Sequence, residues 1–250
     1  MTENLIKYSE LANDILNNET RYKTNKAIIS DVFTMNNPNK VQFRLTVIDS
    51  YYSTQMSKRL YGIEDIAKII ATKTDSQFKE EINLFIENQD SSVFLKEAFS
   101  KKYGINKQGN DFGKAISLLS KYCYFLNNGN FPIYDTIDKV AYPLLTNRKS
   151  INEDNYFTAI RELNIASGIN NYDKLDNLMW LLGKIKSGSF SILMDKIKYK
   201  SITENTTFHK DDKTKDKDER IRKYIEANYK TSNIFSQDEK EFLEFAFGLK

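Results

Sequence analysis

The residues of this 250-residue chain that could do chemistry lie in one stretch, from 111 to 140. Its first half, DFGKAISLLSKYCYFLN (111–127), has apolar residues at helical spacing and predicts a helix with one face against the core. The apolar stripe consists of Phe112, Ala115, Ile116, Leu119, Cys123 and Leu126. At about 100° per residue, Lys114, Ser117 and Lys121 fall on the opposite side. Both lysines should then face outward along one polar strip, either as a solvated surface or as a functional one.

The second half of the stretch, NNGNFPIYDTIDKV (127–140), turns the chain towards a further helix, predicted over 134–146. Gly129 suits the left-handed end of the preceding helix, and Pro132 favours an extended entry to the next. Asp135 then stands at the predicted helix start, where an aspartate commonly caps backbone N–H groups. The alternative is a carboxylate held ionised and aimed at a cleft beside the basic helix.

Over the whole chain the net charge is only +3, but its distribution is uneven. Residues 101–150 contain eight basic and three acidic side chains, an excess found where proteins meet phosphates. The basic residues are Lys101, Lys102, Lys107, Lys114, Lys121, Lys139, Arg148 and Lys149. Chance clustering on a solvated surface is the alternative explanation.

Several classes of protein are excluded by composition. One cysteine, Cys123, and one histidine, His209, cannot form an internal disulfide or a His/Cys zinc cluster. His209 lies in a charged, loop-like stretch, so a Ser-His-Asp triad is not expected and the histidine should be solvated. No metal or cofactor is expected. No apolar run approaches the roughly 18 residues of a membrane span, so we expect a soluble, cytoplasmic chain without a membrane partner.

The elements that must position the chemistry are helices, because apolar residues recur mostly at helical spacing and only three prolines interrupt them. The fold class is therefore all-α, and no strand pair is expected. Helices are predicted at about 4–17, 43–59, 63–73, 76–88, 91–102, 111–127, 134–146, 153–167, 173–186, 189–199, 217–229 and 236–248. The leucine-rich neighbours of Trp180 favour a buried position for this side chain over a stacking role.

The C-terminal part divides into a charged linker and a helical extension. Residues 201–220 mix both charges with few apolar side chains, which indicates an exposed linker or loop. Ser236 and Glu239 form the spacing of a capping box at the start of the last helix. The expected organisation is a helical domain over 1–200, the linker over 201–220 and the extension over 221–250.

The segment from Ser120 to Val140, with Lys121 before FPIYD (131–135), resembles the core of the helix-hairpin-helix GPD superfamily of base-excision DNA glycosylases. The similarity is strongest to the oxoguanine-glycosylase-like branch. In that superfamily a lysine-bearing helix leads through a proline-containing loop to an aspartate that opens the next helix. Asp135 matches that aspartate, and either Lys121 or Lys114 matches the lysine. The family hairpin motif itself, Leu-Pro-Gly-hydrophobic-Gly, is replaced here by YGINKQGNDFG (103–113).

The resemblance implies cleavage of an N-glycosidic bond on a base rotated out of double-stranded DNA. An ionised Asp135 would stabilise the oxocarbenium character of the sugar and orient or deprotonate the nucleophile. Lys121, if neutral, would attack C1′ and form a Schiff base with lyase activity; otherwise water would attack. The damaged or modified base itself is not identified by the sequence.

A second resemblance to the same enzymes lies upstream, in RLTVIDSYYSTQMSKR (44–59). Tyr51 and Tyr52 would then stack beside a flipped base, with core packing as the alternative. Arg44, Lys58 and Arg59 are candidate phosphate contacts or surface salt-bridge partners. Lys114, Ser117 and Lys139 complete the expected DNA-binding set.

The rival interpretation is a non-catalytic helical module that binds nucleic acid or protein. Asp135 would then be a helix cap, and the lysines a solvated face. The two interpretations differ on one geometric point, because catalysis requires Asp135 and a lysine to share a cleft.

Overall fold

The computed structural model describes residues 2–146, 148–207 and 213–249. Within these residues the chain forms thirteen α-helices and one two-stranded sheet, so the all-α prediction is confirmed at the level of fold class. The first seven helices are α1 (Thr2–Asn18), α2 (Thr20–Thr34), α3 (Lys40–Tyr52), α4 (Gly62–Ile70), α5 (Asp75–Glu87), α6 (Val93–Ser100) and α7 (Ile116–Leu126). The others are α8 (Asp138–Thr146), α9 (Tyr156–Ala166), α10 (Tyr172–Lys186), α11 (Lys196–Glu204), α12 (Thr214–Asn228) and α13 (Gln237–Gly248).

A β-hairpin stands where the sequence predicted the first turn of a helix and no strand. Strands β1 (Lys102–Ile105) and β2 (Asp111–Lys114) pair antiparallel, and Leu60 adds a bridge to Ile105 on the open side of β1. Gly104 has φ of +68°, and a Cβ there would lie 2.7 Å from the Leu60 carbonyl oxygen. Only glycine fits this close, left-handed position. The expected helix over 111–127 therefore begins at Ile116, and Lys114 belongs to a strand.

Helix α7 is the central element, and ten of its eleven residues are buried. It packs against α2, α3 and α5. The predicted apolar stripe is correct from Ala115 to Leu126, but the side opposite to it is covered as well. The prediction of an outward-facing polar strip is wrong for Lys121, which is only 1% exposed.

Several predicted boundaries also change. Helix α2 was not predicted, because its apolar residues form a weak pattern and only Ile29 and Val32 are buried. Helix α3 ends at Tyr52, since the left-handed residues Ser53 and Gln55 break the predicted 43–59 helix. The predicted helix over 134–146 begins at Asp138. In place of the predicted helix over 189–199, a 3-10 turn at Ser191–Leu193 precedes α11.

The last helix starts as predicted. Ser236 accepts a hydrogen bond from Glu239 N at 3.2 Å, and the Glu239 carboxylate accepts one from Ser236 N at 2.8 Å. Helix α13 packs on α1 and α10, where the Tyr8 and Phe245 rings stack 3.8 Å apart.

Parts of α11 and α12 occupy the segment predicted as a linker, while His209 lies outside the described residues. The division into domains at 200 and 220 stays a prediction. In the ranges that the structure describes, no helix combines the length and the apolar character that crossing a membrane requires.

Candidate active site

The loop between α7 and α8 is fixed at both of its ends. Gly129, at φ of +84°, closes α7 as predicted and donates its backbone N–H to the Tyr124 carbonyl at 2.8 Å. Phe131 is fully buried among the rings of Phe85, Phe99 and Phe157. This anchoring returns the chain along α7 instead of letting it project into solvent.

One hydrogen bond then sets the register of the returning chain against α7. Ser120 Oγ accepts the backbone N–H of Tyr134 at 2.9 Å. Since Ser120 precedes Lys121 and Tyr134 precedes Asp135, the bond places the candidate lysine and aspartate side by side. A spacing of 14 residues thereby becomes a direct contact.

The Lys121 amine is enclosed by protein on the side that the sequence predicted to be wet. Its Nζ lies 3.7 Å from Asp135 Oδ2 and donates a hydrogen bond to Ser117 Oγ at 2.8 Å. The ring of Tyr52 lies 5.1 Å from the same nitrogen. Burial lowers the pKa of Lys121, while the neighbouring Asp135 carboxylate opposes this effect. The side chain is therefore closer to the neutral, nucleophilic form than a lysine at the surface.

Asp135 lies three residues before the start of α8 and contacts both the backbone and the lysine. Its Oδ1 accepts the backbone N–H of Ile137 at 2.9 Å, which holds the turn that leads into α8. Its Oδ2 faces Lys121, and about a quarter of the side chain is exposed. The carboxylate is thus fixed on one side and available on the other.

Lys121 and Asp135 both line a cavity of about 360 Å³. This volume lies in the range of small-molecule sites, which is about 300–1,000 Å³. Its walls come from α2, α3, α7, α10 and the loop before α8. The shared cleft required for catalysis is therefore present, and the two side chains meet inside it.

A second carboxyl, Asp176 on α10, lines the same cavity. Its pKa is raised to about 7, first by burial and then by the neighbouring Asp135 and Asp173, while Lys26 opposes them. Helix α10 packs close to the start of α8 because Gly183 has no side chain. A Cβ at position 183 would lie 2.4 Å from the carbonyl oxygen of Ile137. Near neutral pH the cavity thus contains a carboxyl able to donate or to accept a hydrogen bond.

Four aromatic residues line the cavity, namely Tyr22, Tyr51, Tyr52 and Trp180. Tyr51, 40% exposed, and the half-buried Tyr52 both border the cavity. Trp180 was expected to be buried, but it is half-buried and lines the cavity one helical turn after Asp176. Its ring packs against Tyr22 at 5.6 Å, and Lys184 Nζ lies 5.1 Å from it. Helix α10 thus has one polar face that borders an internal cavity. Its many leucines hide this face when only the sequence is considered.

The three phosphate contacts predicted near α7, namely Lys114, Ser117 and Lys139, do not form one group in the structure. Ser117 serves Lys121, whereas Lys114 is exposed on β2 and pairs with Glu153 at 2.7 Å. Lys139 lies over the Tyr134 ring at 4.3 Å and donates to its hydroxyl. Of the two lysines considered as the counterpart of the family lysine, only Lys121 contacts Asp135 within the described part of the chain.

The three basic residues of the upstream segment also differ. Lys58 is exposed and bonds only to Gln55 within the described residues. Arg59 donates to the carbonyl oxygens of Gly113 and Lys114, and so ties the hairpin to the preceding loop.

Arg44 is 2% exposed and structural, so its assignment as a phosphate contact is corrected. Its guanidinium donates to the Asp75 carboxylate at 3.1 Å and to the Phe33 carbonyl at 2.6 Å. The buried guanidinium therefore links α3 to α5 and α2, and it has little exposed surface with which to contact DNA.

Sequence reasoning missed the contribution of α2 and Asp176 to the cavity. Tyr22 and Lys26 come from a helix that was not predicted, so no signal pointed to them. Asp176 and Trp180 offered one signal, because they share a face of the predicted 173–186 helix at i and i+4. Sequence alone could not show that this face borders a cleft.

In the described ranges no group of His, Cys, Asp and Glu side chains is arranged to hold a metal ion. Comparison with protein families, with curated proteins and with solved structures finds no match to this chain. Function must therefore be inferred from the geometry of the site itself.

Proposed function

We propose that this protein is a DNA glycosylase-like enzyme that cleaves the N-glycosidic bond of a damaged or modified base flipped out of duplex DNA. The observation that carries the proposal is the buried Lys121 amine, 3.7 Å from the Asp135 carboxylate, at the wall of an aromatic-lined cavity. A buried amine with a lowered pKa beside a carboxylate is typical of a lysine that acts as a nucleophile.

The cavity suits a flipped nucleoside in shape and chemistry. Tyr51, Tyr52 and Trp180 offer faces on which a base can stack, an interaction worth about 1–3 kcal/mol per base. Asp176 offers a carboxyl that can hydrogen-bond the edge of the base. Offsetting the cost of base flipping with stacking and edge contacts is how enzymes of this class gain access to their target.

In the reaction we propose, the lone pair of neutral Lys121 Nζ forms a bond to C1′ of the deoxyribose. The C1′–N bond to the base breaks, and its electron pair leaves with the base, which takes up a proton. The amine then loses a proton, the C1′–O4′ bond opens with protonation of O4′, and an iminium remains at C1′. Removal of a C2′ proton expels the 3′ phosphate by β-elimination and nicks the strand.

Asp135 stabilises this sequence electrostatically. As the base departs, C1′ and O4′ become positively charged, and a carboxylate held in place by Ile137 N meets that charge without reorganising. The same carboxylate can accept the proton that the attacking amine gives up. The 3.7 Å contact between Asp135 and Lys121 makes the two groups close enough to act on one sugar.

The test is borohydride trapping on duplexes that carry 8-oxoguanine, adenine in a mismatch, uracil or a hypermodified base. Hydride reduces the iminium at C1′ to an amine, which links the DNA to the protein permanently. We expect a covalent complex with one of these substrates, lost in Lys121→Met. In Asp135→Asn we expect base release to be slower by about a hundredfold, the cost of losing one electrostatic stabiliser.

The matched control is Lys114→Met, which removes the exposed lysine that is paired with Glu153. Trapping should persist in this variant. Trapping that survives in Lys121→Met would assign the nucleophile elsewhere. Tight, salt-sensitive DNA binding with no base release from any duplex would instead favour the non-catalytic module.

A further inference from the structure

A third acid, Asp138, is buried behind the site and lines no part of the cavity. It is the first residue of α8 and is 1% exposed. Its Oδ2 lies 3.1 Å from Tyr156 Oη, and its Oδ1 has no hydrogen-bond partner within the described residues. A buried carboxyl with a single partner cannot be explained as a helix cap, because a cap accepts backbone N–H groups.

The number of hydrogens available between Tyr156, Ile133 and Asp138 indicates whether the Asp138 carboxyl is protonated. The Tyr156 hydroxyl has one hydrogen and lies 2.6 Å from the Ile133 carbonyl oxygen, which can only accept. If that hydrogen goes to Ile133, none is left for Asp138. The 3.1 Å contact between Tyr156 and Asp138 is then favourable only if the carboxyl carries a proton and donates it to Tyr156 Oη.

The surrounding charges agree with a neutral acid. Burial raises the pKa of Asp138 well above its ordinary value, and Asp176 on α10 and Asp135 in the loop raise it further. The hydrogen bond with Tyr156 and the charge of Lys121 on α7 oppose them, and the pKa of Lys121 is itself lowered by burial. The hydroxyls of Tyr156 on α9 and Tyr22 on α2 also interact with Asp138, and both stay neutral because burial raises the pKa of each.

We propose that Asp138 is a positioning residue that acts as a protonated carboxylic acid: it donates to Tyr156, so that Tyr156 donates to Ile133 and holds the segment that carries Asp135. The segment is short, since Ile133 and Asp135 are two residues apart. Ionisation of Asp138 would draw the Tyr156 hydrogen towards the Asp138 carboxylate and release the Ile133 carbonyl. The Asp135 carboxylate would then shift, although Asp138 itself lies outside the cavity.

The proton is tested on the intact protein without substrate. Infrared difference spectroscopy of wild type against Asp138→Asn at pH 6 should show a band of a protonated carboxylic acid that is present only in wild type. The amide of the variant would retain a donor for Tyr156 and imitate the neutral acid. A carboxylate band in its place would overturn the proposal, whatever the protein catalyses.

The stability of the same two proteins gives an independent reading. An acid with a raised folded-state pKa binds its proton more tightly in the folded state than in the unfolded chain. The stability of wild type relative to Asp138→Asn should therefore fall as the pH rises above the ordinary range of an aspartate. A difference that does not change between pH 4 and pH 9 would contradict a protonated Asp138.

The positioning role rests on the proposed function and is read from kinetics. Asp138→Asn should keep kcat within about threefold of wild type and lose the alkaline decline caused by ionisation of Asp138. Asp138→Ala and Tyr156→Phe should each lower kcat about tenfold to a hundredfold with KM little changed, the effect of misplacing a catalytic group.

The possible failures are distinct from one another. Equal kcat in Asp138→Ala and wild type would overturn the positioning role even if the carboxyl is protonated. If no substrate reacts with any form of the protein, the glycosylase proposal fails, and the infrared and stability measurements still decide the state of Asp138.

Discussion

Asp176→Asn should make the protein more stable at neutral and alkaline pH. The substitution replaces a carboxyl at the cavity wall with a neutral side chain of nearly the same shape. In the folded protein the pKa of Asp176 is raised to about 7, first by burial and then by the nearby carboxylates. An aspartate in the unfolded chain has a pKa of about 3.9. Above neutrality the wild-type protein therefore keeps an ion that costs free energy only in the folded state.

The size of the effect follows from these two values. The difference between about 7 and about 3.9 corresponds to about 4 kcal/mol at pH 8, at 1.36 kcal/mol for each pH unit. The side chain borders an open cavity, where water screens part of the charge, so we expect about half of this figure, about 2 kcal/mol. With a denaturant dependence of about 3 kcal/mol per molar urea, the unfolding midpoint moves by about 0.7 M.

The direction with pH follows from proton binding. Between the two pKa values the folded state binds more protons than the unfolded state, so the stability of wild type falls as the pH rises from about 4 to about 7. Below this range both proteins have a neutral side chain at 176, and their stabilities converge. Above it, the advantage of Asp176→Asn is constant.

The assay is urea unfolding of wild type and Asp176→Asn at pH 4.5, 6, 7 and 8, followed by circular dichroism. Asp173→Asn is the matched control, because Asp173 lies one turn earlier on α10 but pairs with Lys26 and accepts the Tyr124 hydroxyl. It should lower stability at neutral pH, the opposite sign. Equal midpoints for Asp176→Asn and wild type at every pH would refute the assignment of Asp176 as a buried acid.

Three further outcomes are expected. Arg44→Ala should lower the free energy of unfolding by about 3 kcal/mol, because it empties a buried site and removes the hydrogen bonds to Asp75 and Phe33, while the salt dependence of DNA binding by the folded fraction stays unchanged; a reduced salt slope would show that Arg44 does contact phosphate. Gly104→Ala should cost about 3 kcal/mol in urea unfolding, since its φ is +68° and its Cβ would meet the Leu60 carbonyl; Gly109→Ala, at φ of +79° but with open space around it, should cost less. Trp180 is the only tryptophan, so the fluorescence of Asp135→Asn should change when this variant binds the duplex identified as a substrate by trapping, and not when it binds undamaged DNA; equal changes would show that the base does not enter the cavity beside Trp180.

The fold class and many helix positions could be predicted from local pattern, as could the capping box at Ser236 and the helix end at Gly129. Each depends on residues a few positions apart, so the physical cause is contained in the sequence. The segment from Pro132 to Asp135 was singled out for the same reason. Helix α2 was missed because its burial depends on partners distant in sequence and leaves little periodicity of its own.

Whether a polar residue meets water was decided only by the tertiary structure. Helical periodicity correctly placed Lys121 opposite the apolar stripe, but α3, α10 and the returning loop cover that side and convert an apparently wet strip into the wall of a cavity. Arg44 was taken for a surface phosphate contact or salt-bridge partner, although its own side chain is buried and reaches the partly exposed Asp75 from inside. Periodicity shows which side of a helix is apolar and which is polar. Whether the polar side is buried depends on the parts of the chain that pack against it, and this burial in turn shifts the pKa of Lys121 and Asp176.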